Sequence, residues 1–84
     1  MTYTRKNQGV CSSSTTVTID ENGIITDAQV VGGCNGNLKG IVSLLIGQPA
    51  AECAKRMEGI TCGMKASSCP DQIAKCINEA LAQA

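Results

Sequence analysis

A single aromatic side chain, Tyr3, serves the whole chain, and that limits its possible folds more than any other feature. The core must be assembled from Ile, Val, Leu, Ala, Met and Cys, which each remove less surface from water than Phe or Trp. At 84 residues the chain makes one domain, spanning 1–84, whose burial is modest. In domains of this size hydrophobic burial and chain entropy nearly cancel unless something staples the structure. Six cysteines are the available staple.

The apolar pattern divides the chain into two kinds of element. Residues 2–7, TYTRKN, suit an edge strand. Gly9-Val10-Cys11-Ser12-Ser13-Ser14 reads as a turn carrying the first thiol. Residues 15–20 alternate, with Val17 and Ile19 on one face and Thr16 and Thr18 on the other. Glu21-Asn22-Gly23 is a turn signal, and a second strand resumes over 24–31, so residues 15–31 form a hairpin. A glycine-rich break, Gly32-Gly33-Cys34-Asn35-Gly36-Asn37, follows. Leu38, Ile41, Val42 and Leu45 then recur at helical spacing, and Gly47 ends that helix. Pro49 opens a second helix with Ala50, Cys53, Ala54 and Met57 on one face, closed by Gly59 with Ile60 folding back. A third starts at Pro70 and carries Ile73, Cys76, Ile77, Ala80 and Leu81. Proline suits the first helical position because it lacks an N–H, which makes Cys69 the expected N-cap. The fold class is α+β: an antiparallel hairpin or three-stranded sheet packed against three short helices, with Val17 and Ile19 facing the helices.

This layout sorts the thiols. Cys53 and Cys76 fall on helical stripes among Ala, Met and Ile, where a cysteine acts as a small hydrophobe. Cys11, Cys34, Cys62 and Cys69 sit instead at junctions, flanked by Gly, Ser, Thr or Asn, which supply donors that stabilise thiolate and fill a core poorly. These four are the candidate site. With no histidine in the chain, an all-sulfur set suits Zn²⁺ in a tetrahedral site or an iron–sulfur cluster. The long gaps lack the paired C-x₂-C knuckles of a zinc ribbon, so junction placement is the stronger argument. An inert zinc staple explains the same pattern, since structural zinc contributes about 10–16 kcal/mol in small peptides. Two disulfides would also do so, although the polar first twenty residues carry no secretory leader and point to the reducing cytoplasm. A redox role needs a thiol favoured as thiolate, and Cys69 at a helix N-terminus is the candidate.

Other functions fit less well. Seven basic residues balance seven acidic ones, and no basic stripe or aromatic platform is available for nucleic acid. No apolar run is long enough to span a membrane. Gly33-x-x-Gly36 matches a GXXG loop only as letters, and the phosphate-loop order is absent around Lys39, so no motif supports nucleotide binding. Asp71 and Gln72 read as capping residues of the third helix. The lack of histidine removes any Ser/His or Cys/His pairing.

Three segments together, Gly32-Gly33-Cys34-Asn35-Gly36-Asn37-Leu38, Gly59-Ile60-Thr61-Cys62-Gly63 and Ser67-Ser68-Cys69-Pro70-Asp71-Gln72, resemble the TSCPD domain. More closely, they resemble its small stand-alone bacterial members, recognised by four shared cysteines. The resemblance implies that those cysteines are Cys11, Cys34, Cys62 and Cys69, the set chosen above from placement alone. It also implies a relation to the C-terminal domain of adenosylcobalamin-dependent ribonucleotide reductases, and so to deoxynucleotide and DNA biosynthesis. The radical chemistry of such a reductase needs a large barrel and a cofactor pocket that 84 residues cannot house. A ribonucleoside-diphosphate reductase label on a chain like this would be inherited from the family. Three roles remain open: a zinc-binding accessory module that partners a reductase or another protein, a thiol-redox or iron–sulfur handling protein using Cys69, and a structural interaction domain without metal.

Overall fold

Three antiparallel strands in sequential order form a sheet, β1 (Thr2–Lys6), β2 (Ser12–Ile19) and β3 (Ile25–Gly32). Helices α1 (Asn35–Leu45), α2 (Ala50–Met57) and α3 (Cys69–Gln83) follow among the described residues. The computed structural model describes residues 1–10, 12–32, 35–60 and 68–83. The α+β class is as expected from the sequence, with the three-stranded form of the sheet. The central strand, however, starts earlier than the serine-rich composition suggests: Ser12, Ser13 and Ser14 belong to β2 and not to a turn. Helix α1 also starts ahead of its apolar stripe, at Asn35, so Gly36 lies inside a helix rather than in a GXXG loop.

The two faces of the sheet follow the alternation in β2. Val17 is fully buried and Ile19 nearly so, against the helices. On the opposite face Thr2 and Thr18 hydroxyls pair at 3.0 Å and Thr4 and Thr16 at 2.9 Å, cross-strand pairs that stabilise neighbouring strands. Strand β3 cannot keep a simple alternation, because Ile25 and Ala28 are both buried though three residues apart. A register shift at Thr18/Ile19 resets the phase. A second shift lies between Ser12 and Ser14, and it has the same effect: Ser12 and Thr15, three apart, both turn inward and are buried. Bulges re-aim side chains in this way.

The core is aliphatic, built on Val17, Ile19, Ile25, Ile73 and Ile77, with Ala50, Ala54, Ala74, Ala80 and Cys76 filling between them. Alanines on α2 and α3 let those helices pack closely. Gly23 takes φ +77° in the hairpin turn, a conformation open to glycine at little cost. Its carbonyl accepts from Ala50 N–H at 2.8 Å, and Gln48 O accepts from Ile25 N–H at 2.9 Å. The α1–α2 connection is thereby tied to the hairpin. Gly59 adopts φ +81° after α2, as a helix-terminating glycine does. Ile60 does not fold into the core and is 44% exposed.

Candidate functional site

Of the four junction cysteines, Cys69 is among the described residues, and Cys11, Cys34 and Cys62 lie outside them. Cys69 is the first residue of α3, not its N-cap. Ser68 takes that role: its hydroxyl accepts from Asp71 N–H at 3.2 Å, and its carbonyl accepts the first helical bond, from Gln72 N–H at 2.9 Å. A hydroxyl oxygen is the better acceptor for a peptide N–H, whereas sulfur is larger and accepts weakly. The thiol is therefore carried one position into the helix, and Pro70 sits at the second.

The Ser68 hydroxyl donates in turn to Ile60 O at 2.7 Å. Asp71, buried, accepts from Gly59 N–H at 2.7 Å through Oδ1 and faces Lys75 Nζ at 3.5 Å through Oδ2. The end of α2 and the start of α3 are thus clamped together on either side of residues 61–67. On the sheet side Ser12 pairs with Gly32 across β2 and β3. The Ser12 hydroxyl donates to Cys69 Sγ at 3.1 Å. In sequence, Ser12 follows Cys11, Gly32 lies two residues before Cys34, and Ile60 two before Cys62. One set of contacts therefore links described neighbours of all four junction cysteines.

Behind Ser12 runs a short polar chain. Asn7 Nδ2 donates to Ser12 Oγ at 2.8 Å, and Thr15 Oγ1 donates to Asn7 Oδ1 at 2.9 Å. Asn7 is held to the bulge by its own N–H, which donates to Ser13 O at 2.8 Å. Gln72 fixes the neighbouring corner: its buried Oε1 accepts from Gln8 N–H at 3.0 Å and from Arg5 Nη1 at 2.6 Å. Glu79 accepts from Tyr3 OH at 2.8 Å and pairs with Arg5. These two donors hold the Glu79 carboxyl below the usual carboxylate range, Tyr3 first, and the same bond raises the Tyr3 phenol. Among the described residues no buried side-chain nitrogen or oxygen lacks a partner. Sequence reasoning missed Asn7, Ser12 and Thr15 in this arrangement and took Asp71 and Gln72 for capping residues alone.

The stripe cysteines behave differently from Cys69. Cys76 is fully buried, and its thiol donates to Thr15 O at 3.5 Å. Burial, reinforced by the Glu79 charge, pushes it up to about 11. Cys53 is only half-buried, less than its place on the stripe suggests, and burial raises it too. It lines an apolar groove of about 560 Å³ with Ile41, Leu44, Met57 and Ile60. Among the described residues there is no group of three or more His, Cys, Asp or Glu able to hold a metal ion, and no helix long and apolar enough to cross a membrane.

The sequence model of the TSCPD domain matches residues 1–81. The chain belongs to the TSCPD domain family. No curated protein and no solved structure matches it. In this TSCPD domain, then, the end of the sheet, the start of α3 and the end of α2 are joined around Cys69 by side chains of Ser12, Ser68 and Asp71.

Proposed function

We propose that this TSCPD domain is a cytoplasmic metal-binding module in which Cys11, Cys34, Cys62 and Cys69 hold one zinc ion. The observation that carries the reading is the convergence of their described neighbours: Ser12 on Gly32 and on Cys69, Ser68 on Ile60. A chain advances at most about 3.6 Å per residue, so a cysteine one or two positions beyond such an anchor has the reach to join a common centre. The donor set fits the ion as well. Sulfur ligands select zinc or an iron–sulfur cluster, and Cys69 Sγ accepts a hydrogen bond from the Ser12 hydroxyl at 3.1 Å. Zinc bound in this way supplies folding free energy to a domain with a thin aliphatic core.

The resemblance to the C-terminal domain of adenosylcobalamin-dependent ribonucleotide reductases supports reading the module as a small accessory protein in deoxynucleotide synthesis, with no catalytic activity of its own. Copurification with a ribonucleotide reductase tests that part. The metal is tested by elemental analysis of protein purified without chelator. Near one zinc per chain is expected, and less than about 0.2 would overturn the reading, given the affinity of such sites. Iron in place of zinc, with a red-brown colour, would identify a cluster instead.

The position of Cys69 in the first turn of α3, with the Ser12 hydroxyl on its sulfur, supports a second reading, thiol-redox work by Cys69. Metal-free protein treated with a limiting alkylating agent near neutral pH separates the two. Preferential modification of Cys69 supports the redox reading, and uniform slow modification rejects it.

A further inference from the structure

The polar chain behind Cys69 runs in one direction. Thr15 gives its hydroxyl proton to Asn7 Oδ1, so the Asn7 amide presents its NH₂ to Ser12. Ser12 Oγ, already accepting from Asn7, has one proton left, and that proton faces Cys69 Sγ. Thr15 is fully buried and Ser12 is 3% exposed, so water does not compete for either hydroxyl. The bulge between Ser12 and Ser14 aims the group: in a regular strand Ser12 would face the opposite side from Thr15.

We infer that Ser12, oriented by Asn7 and Thr15, is a positioning residue that holds Cys69 sulfur as an acceptor and sets how tightly the site keeps its metal. The inference rests on the four-cysteine metal reading. Four thiolates on a divalent ion leave two excess negative charges, and a buried hydroxyl donor disperses part of that charge. Partners of this kind, one step removed from the metal, typically govern affinity by about 10–100-fold.

The test uses the full chain loaded with Co²⁺ or Zn²⁺, with affinity read by competition against a chromophoric chelator. Ser12→Ala should weaken zinc binding by about 10–100-fold and move the sulfur-to-cobalt charge-transfer band to longer wavelength, since the sulfur lone pairs rise in energy without their donor. Ser12→Thr keeps the hydroxyl and should restore both. Asn7→Asp replaces the NH₂ donor with an acceptor and turns the Ser12 proton away from sulfur, so it should reproduce the Ser12→Ala spectrum although Ser12 is intact. A packing role for Ser12 would not make Asn7→Asp shift that band. Unchanged affinity and band position in both Ser12→Ala and Asn7→Asp, with wild type loading normally, would overturn the inference alone. A wild-type chain that takes up neither ion would overturn the metal reading and this inference with it.

Discussion

Cys69 and Cys76 stand seven residues apart on one helix, two turns along the same face, and both meet strand β2. At Cys76 the strand offers a backbone carbonyl, that of Thr15, and the thiol is the donor. At Cys69 it offers a side-chain hydroxyl, that of Ser12, and the sulfur is the acceptor. The first thiol is enclosed by Ile73, Ile77 and the sheet and is driven towards its neutral form. The second lies where α3 begins, beside two loop ends fastened by Ser68 and Asp71. The amino acid is the same and the helix is the same; what differs is whether the neighbouring strand presents an acceptor or a donor. A bulge of one residue decides that, since it brings Ser12 to the face that Thr15 already occupies.

The strongest way to break the comparison is to remove each sulfur in turn. On the proposed four-cysteine site, Cys69→Ser should reduce bound metal to near zero and forfeit most of the stability such an ion would confer, on the order of several kcal/mol or more. Cys76→Ser should keep the metal and cost about 1–3 kcal/mol, by placing a more polar group in the core. Metal analysis and urea unfolding of both variants read this directly; equal metal loss from the two would erase the distinction.

Next in size is Ile77→Ala, which opens a cavity at a fully buried position and should cost about 2–5 kcal/mol. Metal content should stay unchanged, because the core and the cysteine junction draw on different contacts. Ser68→Ala removes the cap of α3 and the bond to Ile60 O. It should cost about 1 kcal/mol and, unlike Ile77→Ala, should raise the metal dissociation rate.

The arrangement was only partly legible in the sequence. Alternation over 15–20 and the stripes at Leu38, Ile41, Val42, Leu45 and at Ile73, Ile77, Ala80 are enough to place the hairpin and helices, because burial on one face dictates those periods. They also assign Cys76 to the core. The serine run suits a turn by composition, since Ser12, Ser13 and Ser14 have low strand preference, and only pairing with β1 and β3 draws them into the sheet. Which of the three serines faces inward depends on the bulge, a property of pairing that no spacing encodes. The displacement of Cys69 from the N-cap has a local signal in the sequence, Ser68 three residues before Asp71, which competes with the helix-start signal of Pro70.

Two pH effects sharpen the comparison further. Cys76 is raised from an ordinary 9.0 to about 11, so the folded state favours the neutral thiol. Its contribution is fully present below pH 9 and is lost as pH rises towards 11. Wild type should therefore lose stability across that window more steeply than Cys76→Ala, as followed by urea midpoints. The smallest effect is expected from Tyr3→Phe. Glu79 is lowered from 4.5 by Tyr3 and Arg5, so its contribution is present above 4.5 and is lost as pH falls through the folded value. Removing the Tyr3 hydroxyl should flatten that acid limb, because the larger of the two donors is gone.

Four sulfur atoms sharing one ion would form a shell that X-ray absorption at the zinc edge of the purified protein reads directly. It should give four sulfur scatterers at about 2.3 Å and no light-atom ligand. A first shell containing oxygen or nitrogen, or fewer than four sulfurs, would contradict it.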